Sequence, residues 1–359
     1  MTVILIQSLT ALIFSGGVAV AGTPQVQSQP APARVSICIP HFREEFLTLA
    51  VMTARDHGFF AKNNLQVDLV PIGAGLRPDP LNDFNVAQTV STSATTCQFG
   101  ASNVERFLTR DDGAQLGTVP LLLSSYGQEY DTHLVVSANS KIKNIADLKG
   151  KVIRMGQTPV RIAMEGILAE AGLKLTDIKQ DYFTPSTEVL AQLESGKIDA
   201  AVTYVPTMPY MLASGKVRVL KSNIVKAYLG DSVPHSLVIA NRHFALEQPT
   251  LVKHFILAIT QATDYIRRNP TEAIYALQRN TSSMGHATWK VDKVTVEKAG
   301  EFIGKINTVD LFNSSPNRVT AQTQLRNYGI LLQTHGIVAQ PTDVAHWLGL
   351  TRNNEVTAR

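Results

Sequence analysis

The clearest candidates for ligand binding are Gln157 and Thr158, because they lie between a predicted strand, Lys151–Met155, and a predicted helix. Apolar residues at helical spacing across Val160–Ala171 predict that helix, and Pro159 suits its first turn because proline lacks the N–H that would be unpaired there. Free backbone N–H groups at such a junction point out of an open parallel sheet and can hold a small polar or anionic group. The sequence therefore predicts a ligand site at Gln157 and Thr158.

Two further residues could contribute to that site. Arg161 lies one turn into the predicted helix, where its charge could bind an anion or face solvent. Tyr204 ends a later predicted strand, Ile198–Tyr204, and could present its ring to a ligand or to the core. Together with the junction, these side chains suggest a ligand with an anionic or strongly accepting head and an apolar or aromatic body.

Polar residues also follow two predicted strands nearer the N-terminus. His41 and Phe42 come directly after the first of these strands, where they could line a ligand cleft or cap the end of the sheet. Ser102 and Asn103 come after the predicted strand Thr95–Phe99, where they could bind ligand or act as an ordinary helix N-cap. We take both pairs as candidate ligand-binding residues.

The chain lacks the sequence signatures of common catalytic centres. No H-E-x-x-H, G-x-S-x-G or G-x-x-x-x-G-K-S/T motif occurs, and the nine His residues show no metal-ligand spacing. We therefore predict no catalytic residue, no metal and no cofactor. The net charge of +4 is small, and basic residues are scattered rather than grouped in runs, so a nucleic-acid partner is not expected either.

The N-terminus predicts export. Residues Thr2–Val20 are apolar and rich in small residues, and Ala19-Val20-Ala21 provides a small-x-small cleavage site. Polar and glycine residues interrupt the apolar run, which disfavours the alternative of a permanent membrane anchor. We therefore expect a signal peptide at residues 1–21 that is cleaved near Ala21, a flexible tether at residues 22–34, and a periplasmic mature protein.

Composition and element order predict an α/β protein with two domains. The chain has 359 residues, of which 44% are hydrophobic and 17% charged, as in folded globular proteins. Strand–helix–strand patterns occur at the start of the mature chain and again around Gln157, which favours sheets with parallel strands. The later chain is helical, and the apolar stripe of one long predicted helix comprises Val252, Phe255, Ile256, Ile259, Ala262 and Ile266.

Several short segments match the motifs of a known family in the same order along the chain. They are His57-Gly58-Phe59-Phe60 with Leu65–Leu69, Ile142–Ile153 (IKNIADLKGKVI), Ala171-Gly172-Leu173, Leu193–Ala201 (LESGKIDAA) and Asn269–Ala273 (NPTEA). With these segments the chain resembles the solute-binding proteins of ABC importers that include the aliphatic-sulfonate, taurine and thiamine-pyrimidine binders. The matches extend from about Val35 into the last helices and so cover nearly the whole mature chain.

The resemblance implies an α/β fold of the type II periplasmic binding proteins, with two lobes that each contain a mixed, mostly parallel sheet flanked by helices. Lobe one would comprise residues 35–131 and 236–359, and lobe two residues 132–235. It also implies that the protein delivers a small anionic organic ligand, of the sulfonate, pyrimidine or small-acid class, to an ABC permease and its ATPase. We expect the binding protein itself to be a monomer.

Two alternatives remain open at this point. Yeast-type pyrimidine synthases resemble the same fold, but their signature includes a cysteine cluster that this chain lacks. A periplasmic sensor that signals to a membrane kinase is the second alternative. The chain also departs from the family at Ser91–Phe99, where a small-Gly-x-Asp phrase is usual, and at Tyr204-Val205-Pro206, which lacks tryptophan. These departures leave the particular ligand open.

The two cysteines, Cys38 and Cys97, are too few for a disulfide scaffold or a cysteine-ligated zinc site. The resemblance places their strands side by side in lobe one, so we expect both side chains to be buried and close together. One disulfide is possible in an exported protein. We nevertheless expect free thiols, because direct neighbours on parallel strands rarely meet disulfide geometry.

Overall fold

The computed structural model describes residues 31–40, 46–72, 89–93, 95–104, 108, 117–125, 132–156, 158–182, 188–204, 207–230, 234, 236–283, 297, 307–312, 318–341 and 343–344. Its strands are β1 (Ala33–Pro40), β2 (Leu65–Ile72), β3 (Phe99–Asn103), β4 (Thr118–Ser125), β5 (Thr132–Ser137), β6 (Val152–Arg154), β7 (Lys179–Asp181), β8 (Ala200–Tyr204), β9 (Val217–Lys221), β10 (Ser236–Asn241) and β11 (Asn307–Asp310). The expected signal peptide lies outside the described residues, and residues 33–34 of the expected tether belong to β1.

Helices connect and cover these strands. The α-helices are α1 (Phe46–Asp56), α2 (Phe59–Lys62), α3 (Thr158–Glu170), α4 (Val189–Glu194), α5 (Thr207–Ala213), α6 (Ile224–Leu229), α7 (Arg242–Glu247), α8 (Pro249–Arg268), α9 (Pro270–Ser283) and α10 (Arg318–Thr334), and two short 3-10 helices span Ile145–Leu148 and Leu175–Asp177. Among the residues described, no helix is both long enough and apolar enough to cross a membrane.

The strands form two mixed sheets. Sheet A has the order β11-β4-β10-β3-β1-β2, in which β1 pairs in parallel with β2 and β3, while β10 and β11 run antiparallel to their neighbours. Sheet B has the order β7-β6-β8-β5-β9, in which β6 pairs in parallel with β7 and β8, while β5 is antiparallel to β8 and β9. The four strands β1–β4 of sheet A therefore point the same way, as do β6, β7 and β8 of sheet B.

Sheet A is covered by apolar residues on both faces. Alternate residues of β1 point to opposite sides, so Val35, Ile37 and Ile39 enter core 1, which also contains buried residues of α1, α8 and α9. Cys38 enters core 2 on the other face, together with Leu325 and other residues of α10. The stripe predicted for the long helix is confirmed, since Val252, Phe255, Ile256, Ile259, Ala262 and Ile266 are all buried in α8.

Sheet B has the same two-sided arrangement. Core 3 joins alternate residues of β5, β6 and β8 to α3 and α6, with Ile153, Ala163 and Ile167 among its members. Core 4 lies on the opposite face and is formed by residues of β5, β8, α4 and α5, with Val135 and Ala201 among its members. The helical spacing read from the sequence is therefore confirmed for α3, because the same apolar positions face core 3.

Helix α5 contributes to the cores of both sheets. Met208 is fully buried in core 1 of sheet A, whereas Met211, one turn later, is buried in core 4 of sheet B. Leu212 is partly buried and packs against both cores. Two side chains three residues apart lie close together on one side of a helix, so α5 is packed between the two cores along a single face.

The expectation of free thiols is wrong, because Cys38 and Cys97 form a disulfide. The expected burial and proximity are confirmed: both residues are fully buried and their Cα atoms are 5.6 Å apart. Strand alternation from Phe99 would place Cys97 in core 1, but Cys97 precedes β3 and its side chain lies in core 2 with Cys38. The two cysteines are therefore not direct register partners, and their spacing suits a disulfide.

Candidate functional site

One edge of sheet A collects polar residues from several strands. Strands β1–β4 end at this edge and β10 and β11 begin there, as the pairs Pro40↔Ile72, Ser236↔Asn103 and Asn307↔Ser125 show. Ser102 lies one residue inside the edge and is almost completely buried. The carboxyl ends of parallel strands are where ligands are usually bound in open α/β sheets.

Sheet B presents an equivalent edge. Strands β6, β7 and β8 end there and β5 begins there, because Arg154 pairs with Asp181 and Tyr204 pairs with Thr132. Helix α3 starts at Thr158, only four residues after Arg154. The N-terminus of this helix therefore lies at the same edge as the ends of the three parallel strands, and it carries partial positive charge from unpaired N–H groups.

The junction between β6 and α3 depends on close packing at Gly156. A Cβ atom at this position would lie 2.8 Å from Val160 Cγ2, so a larger residue would require the Val160 side chain to shift. Thr158 is the first residue of α3, which confirms the predicted position of the helix start. Gln157 lies outside the described residues.

Arg161 is exposed and bonded within its own helix. Its Nε donates to Glu165 Oε1 at 3.2 Å, an ion pair between residues four apart. Tyr182, which directly follows β7, lies near this pair: burial raises the pKa of its phenol, the Arg161 charge lowers it and the Glu165 charge raises it. The charge predicted to bind an anion therefore has a carboxylate neighbour, and a ligand would have to compete with Glu165 for it.

The predicted position of Ser102 and Asn103 after a strand is wrong. The strand expected at Thr95–Phe99 is instead β3, Phe99–Asn103, so both residues belong to it and pair with Leu237 and Ser236 of β10. Residues 95 and 96 form a turn and residue 98 a bend before β3, and Cys97 between them is bonded to Cys38. Asn103 ends the strand and directly precedes helical Val104, so the N-cap alternative stays open for Asn103, whereas Ser102 lies inside the strand.

The candidate residues fall into two groups, one on each sheet. Ser102 and Asn103 lie at the edge of sheet A, and Thr158, Arg161 and Tyr204 lie at or directly after the edge of sheet B. His41 and Phe42 lie outside the described residues.

Buried polar residues of sheet B were not among the sequence candidates. They are Thr132, His133, Arg154 and Thr203, all below 10% exposure. Thr132 Oγ1 accepts the Val225 N–H at 3.1 Å and so satisfies one unpaired donor at the start of α6. The available signal was a polar residue inside an otherwise apolar strand, as in THLVVS and AAVTY. Such a residue deserves notice because buried polar side chains are uncommon in folded proteins, whereas exposed apolar side chains are common.

Two of these buried residues make hydrogen bonds to the backbone of neighbouring elements. His133 Nδ1 accepts the Asn223 N–H at 3.3 Å, and Arg154 Nη1 donates to the Val202 carbonyl at 3.1 Å. Thr203 Oγ1, by contrast, is buried without a hydrogen-bond partner. In the described part of the chain, no group of three or more His, Cys, Asp or Glu side chains could hold a metal ion.

Comparison with known proteins gives one family and one fold. The family model described as "NMT1/THI5 like" matches residues 47–273. A curated relative from Escherichia coli (strain K12), named as an aliphatic sulfonates-binding protein, is 30% identical over 153 residues, which are 42% of this chain and 46% of that protein. The matched segment therefore spans less than half the length of this relative.

Solved structures share the fold across nearly the whole chain. The periplasmic aliphatic sulphonate binding protein SsuA from Escherichia coli has a TM-score of 0.62 at 18% identity and covers 88% of this chain and 91% of its own. The desulfurization enzyme DSZB has a TM-score of 0.56 at 14% identity and covers 91% of this chain and 100% of its own. The fold is thus that of the two-lobe periplasmic binding proteins, and an enzyme also uses it.

Proposed function

Because the chain belongs to the NMT1/THI5 like family, we propose that it is an exported solute-binding protein for a small anionic organic ligand. The ligand is of the sulfonate, pyrimidine or small-acid class, with sulfonates preferred because related binding proteins are named for them. The protein acts as a monomer and delivers its ligand to an ABC permease and its ATPase. Neighbouring genes for a permease and an ATPase would separate this role from that of a sensor for a membrane kinase.

The observation that most supports a ligand site is the start of α3 at the edge of sheet B. A helix of 13 residues begins there within four residues of the end of β6, beside the ends of β7 and β8. The N–H groups of its first turn suit an anionic head, because they are unpaired donors with partial positive charge. Gln157, Thr158, Arg161 and Tyr204 provide this half of the proposed site.

The other half of the proposed site belongs to sheet A. His41, Phe42, Ser102 and Asn103 contact the ligand from lobe one, which comprises residues 35–131 and 236–359. Residues 132–235 form lobe two. A ligand held by both lobes favours the closed arrangement, because only that arrangement offers all the contacts at once.

Export is the second part of the proposal. The N-terminus is cleaved near Ala21, and the mature protein is periplasmic, like the sulphonate binding protein SsuA that shares its fold. The Cys38–Cys97 disulfide supports an oxidising compartment, since such bonds are rare in the cytosol. Mass spectrometry of the protein from its native envelope should find a mature N-terminus near Gly22. An intact N-terminus embedded in the membrane would contradict export with cleavage.

The ligand class can be tested by thermal denaturation of the purified protein with ethanesulfonate, taurine, an aminopyrimidine, benzoate and sulfate. A ligand at about 100 times its Kd adds about 2.7 kcal/mol to the free energy of unfolding, which raises the Tm by several degrees. We expect a rise with an organic anion. A rise with a cation alone would contradict the proposed class.

Calorimetry on two variants then tests the proposed site. Thr158→Ala and Arg161→Ala should each weaken binding of the responding anion, by about 1.5–3 kcal/mol where a charge-assisted hydrogen bond is lost. Glu165→Gln is the matched control, because it removes the partner of Arg161 and leaves the cation in place. If both alanine variants bind like wild type, the site at α3 is wrong.

An enzymatic role is the second candidate, because the desulfurization enzyme DSZB shares the fold. Its test is the fate of the bound molecule. A binding protein releases ethanesulfonate unchanged after long incubation, whereas an enzyme yields a product of different mass. Mass spectrometry of the released small molecule distinguishes the two outcomes.

A further inference from the structure

Sheet B buries three polar side chains on one face, near the edge at which β6 and β8 end. They are His133, Arg154 and Thr203, with exposures of 7%, 7% and 3%. Each directly adjoins a residue of core 3 in its strand, so each side chain points to the opposite face, which core 4 covers. The described members of core 4 on that face are apolar, and a buried polar group beside them needs a hydrogen-bond partner.

The strand register brings the three residues into one row. His133 of β5 is the direct partner of Thr203 of β8, so their side chains are adjacent. Arg154 of β6 is the partner of Ala201, two residues before Thr203 on the same face. A diagonal neighbour of this kind is about 7–8 Å away, which a long arginine side chain can span.

All three side chains can donate a hydrogen bond. Arg154 has only donors and remains charged. His133 accepts the Asn223 N–H at Nδ1, so a neutral ring carries its proton on Nε2, which then donates. Thr203 Oγ1 is buried without a partner, and its hydroxyl is therefore able to donate to an incoming acceptor. A group with several acceptor oxygens could therefore accept a hydrogen bond from each of these three side chains.

We propose that His133, Arg154 and Thr203 bind the oxyanion head of an organic sulfonate, sulfinate or carboxylate. This inference rests on the proposed function: it adds these three side chains of sheet B to the N–H groups at the start of α3 as donors to the same head group. Asp181, the partner of Arg154 on β7, adds a carboxylate to the row. Because one cation and one carboxylate nearly cancel, the row suits a singly charged head held by hydrogen bonds better than a doubly charged ion such as sulfate.

The test uses Thr203→Val, which replaces the hydroxyl with a methyl group of similar size. We expect the Kd for ethanesulfonate, measured by calorimetry, to rise about tenfold or more, since a hydrogen bond to a charged group is lost. Thr203→Ser keeps a hydroxyl and should lose less. Thr263→Val is the matched control, because Thr263 is also buried but lies in α8, where it bonds to Ile259; its Kd should match that of wild type.

Stability without ligand separates binding from a structural role. The Thr203 hydroxyl has no partner in the protein, so Thr203→Val should be at least as stable as wild type in urea denaturation. A clear loss of stability would show that the hydroxyl serves the fold, and would overturn the inference. Wild type should also bind ethanesulfonate more tightly than neutral ethanesulfonamide or sulfate.

The possible failures are distinguishable. If wild type binds ethanesulfonate, ethanesulfinate or propionate and Thr203→Val binds the same probe equally well, the inference is overturned and the proposed function stands. If wild type binds none of these three probes, the anionic ligand class is overturned and this inference with it. Arg154→Gln provides a second test. Because it removes the positive charge, it should reduce the ratio of the Kd for ethanesulfonamide to the Kd for ethanesulfonate.

Discussion

The Cys38–Cys97 disulfide joins strand β1 to the segment that precedes β3. Its two residues are 59 positions apart in the sequence and both are fully buried in core 2. A crosslink of this span restricts the unfolded chain, since it closes a long loop. Burial also removes both sulfur atoms from solvent, so reduction of the native protein requires at least local opening.

We expect the double variant Cys38→Ala/Cys97→Ala to be less stable by about 2–5 kcal/mol, as for native disulfides in other domains. Urea denaturation without reductant measures the difference. Wild type unfolded with dithiothreitol is the control, because it should approach the double variant. An unfolding midpoint that does not respond to dithiothreitol would mean that the bond contributes no stability.

Arg161 shows how a single residue can be tested without disturbing the fold. Its ion pair with Glu165 is at the surface, with side-chain exposures of 46% and 39%. Such exposed pairs contribute less than about 1 kcal/mol to stability. Loss of ligand binding in Arg161→Ala would therefore report on the ligand rather than on unfolding.

At the scale of elements, the 3-10 helix Ile145–Leu148 is stabilised by a reciprocal cap. The Asn144 side chain accepts the Asp147 N–H at 3.2 Å, and the Asp147 carboxylate accepts the N–H groups of Lys143 at 2.7 Å and Asn144 at 3.1 Å. The bond from Lys143 and then that from Asn144 hold the pKa of Asp147 below its ordinary value of 3.8. The cap therefore works best with an ionised Asp147.

The lowered pKa predicts an acid-sensitive contribution to stability. A carboxyl group with a lower pKa in the folded protein stabilises it above the unfolded pKa, and this contribution is lost as pH falls through the folded pKa. We expect Asp147→Asn to be less stable than wild type near pH 7, and we expect this difference to shrink as the pH falls below the ordinary pKa of 3.8. Urea denaturation across this range is the measurement. A difference that does not change with pH would contradict the role of the carboxylate charge.

The packing of α3 on α6 depends on Gly166. A Cβ atom there would lie 2.3 Å from Tyr228 Cδ1, so the ring would have to move. Tyr228 is also held by its hydroxyl, which donates to Glu170, while Glu170 accepts a bond from Lys221 at 3.2 Å. The tyrosine ring therefore cannot swing away without loss of that hydrogen bond.

Gly166→Ala should lower stability by about 1–3 kcal/mol, as overpacking usually does. Helix propensity alone favours alanine over glycine by about 1 kcal/mol, so the two effects have opposite signs. The control is the same change in a Tyr228→Ala background, where the clash is absent and the cost should disappear. If Gly166→Ala instead stabilises the wild-type protein, the Tyr228 ring can move aside at little cost in free energy, and the predicted clash is wrong.

At the scale of the whole molecule, α5 connects the packing of the two sheets. Met208 lies in core 1 with the residues of sheet A, and Met211 lies in core 4 with those of sheet B. Any movement of sheet B relative to sheet A must therefore preserve or exchange the contacts of Met208. Successive turns of α5 therefore pack into core 1 and core 4.

We expect Met208→Ala and Met211→Ala each to cost about 2–5 kcal/mol, as for buried methionine in other cores. Their local effects should differ. Hydrogen exchange should rise in β1 and β3 for Met208→Ala, and in β5 and β8 for Met211→Ala, so each variant is the control for the other. The same exchange pattern from both variants would contradict the division of α5 between two cores.

The sequence by itself determined the long helix α8, the start of α3 after β6, and the family. The apolar spacing of α8 correctly predicted its buried stripe, and the spacing after Pro159 correctly predicted α3. These successes have one physical reason. Helical periodicity and a proline in the first turn depend on residues within about one turn of each other, so they can be read locally.

Only the tertiary structure decided the start of β3, the disulfide and the polar row of sheet B. His133, Arg154 and Thr203 come from three strands far apart in sequence, and strand register alone makes them neighbours. Cys97 meets Cys38 because the chain bends before β3, against the simple alternation of a strand. Register and bends are set by packing between distant segments, because a shift by one residue would move every side chain to the other face.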